Sequence, residues 1–219
     1  MKVLITGTSS GMGRGFALKF LECGHEVIGF DVKESSIDNE RYEHYRIDVR
    51  CPEAFPDDIV PEIIINNAGV QNSGDDIGVN LTGAINVTEK YAIGNEKLRS
   101  VVMIGSASGH TGSEFPEYAA SKGGLIAYTK NVALRIAPNA VCNSIDPGGV
   151  ITELNAPVMK DEKLWNRIME LTPLKRWAEV EEIAEWVYFV AVKNRFMTGQ
   201  NLLIDGGEAG KMNFIWPEE

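Results

Sequence analysis

Residues 1–31 read MKVLITGTSSGMGRGFALKFLECGHEVIGFD. Val3, Leu4 and Ile5 form a short apolar run that stops at a glycine-rich turn, the pattern of a buried strand. Between Met12 and Leu21, the residues Phe16, Ala17, Phe20 and Leu21 recur at helical spacing, and Gly24 stands where a C-terminal cap would close that helix. Glu26 to Phe30 then reads as a second strand. A strand, a glycine turn, a helix and a strand make one βαβ unit, which implies a parallel sheet.

The rest of the chain repeats this alternation. Strands are expected at Tyr45–Ile47, Ile63–Ile65, Ser100–Gly105, Ala140–Ile145 and Asn201–Ile204, and helices at about 81–98, Tyr118–Ala137 and Val180–Val192. Ile63–Ile65 is β-branched throughout, as suits a strand covered on both faces. Pro138 stops the long helix. No Pro/Gly/Ser-rich linker divides the chain, so residues 1–219 are expected to form one domain.

Composition narrows the function. The chain has 219 residues, 44% hydrophobic and 24% charged, which is globular material. A net charge of −10 argues against nucleic-acid or anionic-membrane partners, which reward a basic surface. Cys23, Cys51 and Cys142 are odd in number and lack CxxC spacing, so free thiols are expected rather than disulfides or structural zinc. His25, His44 and His110 share no ligand spacing, so no metal is expected. No apolar run reaches the ~18–20 residues of a membrane span, and the N-terminal apolar stretch is short for a signal peptide. A cytoplasmic location is the expectation.

The loop Thr6-Gly7-Thr8-Ser9-Ser10-Gly11-Met12-Gly13 sits where a strand hands over to a helix. Phosphates bind at helix N-termini, where backbone N–H groups are free and the dipole favours negative charge. Gly7, Gly11 and Gly13 let backbone and ligand approach closely, and Ser9 and Ser10 add hydroxyl donors. The spacing is GxxxGxG, neither the GxGxxG dinucleotide fingerprint nor a P-loop. Asp31 ends the second strand, where a carboxylate can take the ribose 2′-hydroxyl and repel a 2′-phosphate, selecting NAD over NADP. Lys33 and Arg14 are nearby cations that weaken this discrimination.

Tyr118 and Lys122 are four apart at a helix start and share one face. A phenol with pKa near 10 is a poor catalyst at neutral pH, and an adjacent ammonium stabilises its phenolate. Ser106, at the end of the fifth strand, can hydrogen-bond a substrate oxygen.

With these in place the chain resembles the short-chain dehydrogenase/reductase family along nearly its whole length. The matching stretches are TGTSSGMG (6–13), Asp31, Asp48-Val49, NNAG (66–69), VNLTG (79–83), IGSASG (104–109), YAASK (118–122), NSIDPGGVIT (143–152) and TGQNLLIDGG (198–207), in the family's order. The resemblance implies a Rossmann-type doubly wound parallel sheet with flanking helices, and hydride transfer between NAD and an alcohol or carbonyl compound. It makes Tyr118 the general acid/base and gives Lys122 the nicotinamide ribose. It has Ser106 orient the carbonyl, with Ser108 as the fallback. Asn80 would hold a water that relays protons from Lys122. Met12 belongs to the cofactor loop, Asp48 and Val49 flank the adenine, and Asn67, Ala68 and Gly69 line the cofactor cleft. Pro147, Gly148, Val150 and Thr152 hold the nicotinamide.

This chain departs from the family pattern between Asp48 and Asn66 and between Gly69 and Asn80, where it is short, and Pro52, Pro56 and Pro61 oppose a helix in the first stretch. Similar trimming in some hydroxysteroid dehydrogenase/carbonyl reductases makes a hydroxysteroid or other hydrophobic carbonyl compound the lead. Residues 153–177 fall at the family's substrate lid. There Leu154, Met159, Leu164, Trp165, Ile168 and Met169 line a pocket or form plain core, and five cations make the segment basic. His110 and Glu114 are further candidates to face the substrate. The family also implies a homodimer or homotetramer, and Ala119, Ala120, Gly123, Gly124 and Ala127 are small enough for close helix contact. The rival readings are a non-catalytic dinucleotide sensor and a nucleotide-sugar epimerase or dehydratase. Intact Tyr118, Lys122, Ser106 and Asn80 oppose the first, and the short stretch after Gly207 opposes the second.

Overall fold

The computed structural model describes residues 1–113 and 115–210. Its strands are β1 (Lys2–Thr6), β2 (Glu26–Asp31), β3 (Tyr42–Arg46), β4 (Ile63–Asn66), β5 (Ser100–Ile104), β6 (Val141–Pro147) and β7 (Asn201–Ile204). They form one parallel sheet in the order β3-β2-β1-β4-β5-β6-β7. The chain first builds outward from β1 to β3, then returns to the other side of β1. That reversal opens a crevice at the carboxyl ends of β1 and β4, where doubly wound sheets bind ligands.

Alternation along each strand sends side chains to two separate cores. Val3, Ile5, Ile63, Ile65, Val102 and Ile104 pack with Phe16 and Phe20 of α1 (Gly11–Glu22) and Ile183 and Val187 of a helix near the C-terminal end. Leu4, Ile64, Val101 and Met103 face the opposite way, onto Val87 of α2 (Gly83–Tyr91) and onto Leu125 and Val132 farther along the chain. Ile63, Ile64 and Ile65 are all fully buried, because both faces of the sheet are covered.

Several boundaries differ from the sequence reading. The third strand is Tyr42–Arg46 rather than Tyr45–Ile47. Among the described residues it is an edge strand paired with β2 alone, and its half-exposed residues carry little hydrophobic pattern. The helix expected at about 81–98 begins as a π-helical turn over Ile77–Thr82, runs as α2 to Tyr91, and gives way to a turn at Gly94, whose φ is +79°. A short helix, α3 (Ala107–Thr111), follows β5, with no periodic pattern in the sequence to announce it. The long helix α4 (Pro116–Ile136) starts two residues early, with Pro116 at its first turn. The trimmed stretch after Asp48 keeps only a 3₁₀ turn at Pro52–Ala54. Phe55 and Ile59 fill the space, with Phe55 stacked on Tyr91 at a centroid distance of 5.9 Å.

The lid region forms α5 (Ala156–Lys160) and α6 (Glu162–Leu171), neither of which buries any residue. Its apolar residues are therefore not core. Trp165 meets Trp177 edge to face at 4.9 Å. The helix α7 (Val180–Tyr188) begins with a reciprocal cap between Glu179 and Glu182. Among the described residues no helix is long and apolar enough to cross a membrane.

Candidate active site

The crevice starts at the glycine turn. Gly7 and Gly11 have φ of +76° and +53°, left-handed values that other residues avoid. A Cβ on Gly13 would stand 2.0 Å from the Gly7 carbonyl, so the turn closes on itself only without side chains. A Cβ on Gly11 would meet nothing nearer than Thr152 Cγ2 at 4.0 Å, leaving a cradle between the turn and Thr152.

Thr6 fixes this turn to the next strand. Its hydroxyl accepts the N–H groups of Asn67 at 3.0 Å and Ala68 at 2.9 Å, and Asn67 Nδ2 donates to the Thr6 carbonyl at 2.9 Å. Thr6 opens the TGTSSGMG stretch, but only the fold shows its part in the site. Asp31 lies alongside. Its Oδ2 accepts from Ser9 N and its Oδ1 from Lys33 N, both at 2.9 Å. Each carboxylate oxygen keeps acceptor capacity for a further donor.

Asp48 is held by Arg50, which also pairs with Asp75 at 2.8 Å. The Arg50 guanidinium keeps the Asp48 carboxyl below its usual range. The Val49 side chain is buried, and a Cβ on Gly83 would come within 2.4 Å of it. Only the backbone of Val49 is left to meet a ligand. Val150 is likewise buried in the core. Gly148 lies against Asp205, whose Cβ would be 2.8 Å from a Cβ there.

Ser106 follows Gly105 at the end of β5 and caps α3, its Oγ accepting Ser108 N at 3.1 Å. Ser108 itself is buried. Tyr118, on the first turn of α4, is partly exposed. One turn later Lys122 is buried, with Nζ 5.7 Å from the Tyr118 ring centre and donating to the Ile104 carbonyl at 2.9 Å. Burial pushes the Lys122 ammonium down to about 8, against the opposing pull of Asp146 and Asp76.

Asn80 sits in the π-helical turn. Its Oδ1 accepts Val70 N at 2.8 Å, and its Nδ2 donates to the Val70 carbonyl and to Ser121 Oγ, at 2.9 and 3.0 Å. Both amide hydrogens are thus used within the protein. Only a second lone pair on Oδ1 remains for a water. A Cβ on Gly69 would lie 3.3 Å from that oxygen and 3.6 Å from Lys122 Nζ, so Gly69 keeps the approach to both open.

His110, on α3, shares a hydrogen bond between its Nε2 and Oδ2 of the fully buried Asp146 at 2.6 Å. The sequence does not reveal this partner, because the two residues are 36 apart. Glu114 lies outside the described residues. Thus β1, β4, β5, β6 and α4 bring the glycine turn, Asn67–Gly69, Ser106, Pro147–Gly148, Tyr118 and Lys122 to one edge of the sheet. The open cradle at Gly11 and Gly69, with an ammonium at its inner end, fits an extended anionic dinucleotide.

A family model described as enoyl-(acyl carrier protein) reductase matches residues 61–208. The chain is 29% identical to a 3-oxoacyl-(acyl-carrier-protein) reductase of Thermotoga maritima, over 93% of this chain and 96% of that protein. Among solved structures, a 4-hydroxyisoleucine dehydrogenase mutant complexed with NADH and succinate superposes with a TM-score of 0.88 at 28% identity, covering 97% of this chain and all of the other. A putative 2-deoxy-d-gluconate 3-dehydrogenase from Agrobacterium tumefaciens with bound NADP gives 0.86 at 25% identity, covering 96% of each.

Proposed function

The chain belongs to the short-chain dehydrogenase/reductase family of oxidoreductases, and from that premise we propose that it interconverts a secondary alcohol and a ketone with NAD(H), using Tyr118 as general acid/base. The observation that carries this reading is the buried Lys122 ammonium beside the Tyr118 ring, at the carboxyl edge of the sheet.

When bound, the nicotinamide dinucleotide supplies or accepts the hydride. The protein handles the proton. In reduction the Tyr118 hydroxyl protonates the substrate oxygen, while Ser106 Oγ hydrogen-bonds the same oxygen and orients it. In oxidation the Tyr118 phenolate takes the alcohol proton. Bringing a phenol from pKa ~10 to neutrality requires about 4 kcal/mol of preferential phenolate stabilisation. The Lys122 charge acts from a desolvated position, where Coulomb attraction is less screened than in water. Asn80 holds the water that reconnects Lys122 with solvent, through its remaining Oδ1 lone pair.

Gly7, Ser9, Ser10, Gly11, Met12 and Gly13 take the pyrophosphate end, and Lys122 and Thr152 the nicotinamide end. Asp31 favours NAD(H), since its carboxylate accepts from a ribose hydroxyl and repels a phosphate. The two structural relatives hold NADH and NADP respectively, so the preference rests on Asp31 itself. The half-exposed apolar residues of α5 and α6 suit a hydrophobic carbonyl compound such as a hydroxysteroid. A homodimer or homotetramer is part of the same reading.

The test is a panel of ketones and secondary alcohols with both cofactors, followed by nicotinamide absorbance. NAD(H)-dependent turnover is expected. Tight NADH binding with no turnover of any compound would make the protein a dinucleotide sensor.

A further inference from the structure

One pair of side chains at the crevice, His110 and Asp146, has been given no role toward the substrate so far. Asp146 is fully buried at the end of β6, and a Cβ on Gly105 would stand 2.0 Å from its Oδ1, so its carboxylate lies directly beneath the residue preceding Ser106. Oδ1 takes no hydrogen bond among the described residues. Burial pushes this carboxyl up, and Ser144, His110 and Lys122 oppose it. A buried carboxylate with one bare oxygen is costly for a fold, and an asparagine or serine would avoid that cost. Among the described residues Asp146 Oδ2 is hydrogen-bonded to His110 at the short distance of 2.6 Å.

That bond fixes the imidazole. With Asp146 ionised, its carboxylate only accepts, and the shared hydrogen belongs to Nε2. In the neutral ring Nδ1 is then an acceptor, held in orientation much as an outer carboxylate orients a metal-bound histidine. Nδ1 takes no hydrogen bond among the described residues, and the side chain keeps 29% exposure at the crevice edge. His110 is four residues after Ser106, on the turn that Ser106 caps. Ser106 is extended at the cap of α3, and His110 reaches back to the carboxylate that lies against Gly105, so the serine and the imidazole are both anchored at the end of β5.

We propose that His110, fixed by Asp146, is a specificity-determining residue. It accepts a hydrogen bond from a hydroxyl on the carbon next to the reacting one, so the preferred substrates are α-hydroxy ketones and the matching vicinal diols. The proposal rests on the alcohol–ketone activity above and names the substrate class of that site.

The test uses matched pairs with NADH: acetoin against butanone, and 2-hydroxycyclohexanone against cyclohexanone. The native protein should favour the hydroxylated member of each pair in kcat/KM by about tenfold, the worth of one well-made hydrogen bond. His110→Ala should remove that preference while leaving the plain ketones within about threefold. His110→Gln, which keeps an acceptor, should restore part of it. Asp146→Asn should fall between native and His110→Ala. Nitrogen NMR of the His110 ring should show hydrogen on Nε2 in the native protein, and a mixture of tautomers in Asp146→Asn.

A native preference for the plain ketones, equal losses on both members in His110→Ala, or hydrogen on Nδ1 in the native ring would each overturn the proposal. Turnover of plain ketones without the preference removes only this proposal. No turnover of any ketone removes the activity reading and this one with it.

Discussion

Replacing Lys122 with methionine should make the protein more stable and inactive at once. The ammonium is 5% exposed, and burial holds its pKa near about 8 against an ordinary 10.5. That difference corresponds to roughly 3 kcal/mol of destabilisation by the charged lysine. Below about pH 8 the lysine is charged in both folded and unfolded chains, and the whole cost is carried. Between about 8 and 10.5 the folded chain loses its proton first, and the cost fades as pH rises. Methionine fills similar space without charge, but it leaves the Ile104 carbonyl without its Nζ donor, a loss of about 1–2 kcal/mol. The net expectation near neutral pH is a gain of about 1–2 kcal/mol, or a few degrees in Tm for a chain of this size. Urea unfolding at about pH 7 and about pH 10 would measure it, and the gain should disappear at the higher pH. A variant less stable than the native protein at neutral pH, or a difference indifferent to pH, would refute the burial argument.

Other consequences are as direct. Asp31→Ala should narrow the ratio of kcat/KM for NAD(H) over NADP(H), measured on one substrate; a native protein equally fast with NADP(H) would contradict the role given to this carboxylate. Gly13→Ala places a methyl 2.0 Å from the Gly7 carbonyl, so it should cost about 1–3 kcal/mol in urea unfolding and weaken NADH binding measured by fluorescence. Light scattering at micromolar concentration should give the mass of a dimer or tetramer, and a monomer mass would oppose the assembly reading.

What could be read from the sequence was what neighbouring residues decide. The glycine turn, the triple isoleucine of β4 and the Tyr118–Lys122 spacing each carry their pattern within a few positions, and each appears in the structure where expected. β3 starts three residues before its sequence pattern suggests, because an edge strand with polar residues has little periodicity to read. The helical pattern near 81–98 outlasts the helix, because Gly94 breaks it before the apolar Leu98, which is buried by the fold rather than by the helix. Gly124 looked available for contact between subunits, yet a Cβ there would meet Leu81 at 2.6 Å, so its small size already serves packing within the chain. The Thr6 clasp on Asn67 and Ala68, the Arg50 bridge to Asp75 and the His110–Asp146 pair join residues that are 25–62 positions apart. Such contacts exist only once the parallel sheet has brought the strand ends together.

The central claim is that Tyr118 moves the proton, and Tyr118→Phe tests it most directly. The substitution keeps the ring on the first turn of α4 beside Lys122 and removes only the hydroxyl. With a substrate taken from the ketone panel, kcat should fall by about 10²–10⁴, the usual worth of general acid–base catalysis, while NADH affinity and urea stability stay near native values. Turnover within a few-fold of the native protein would show that another group carries the proton.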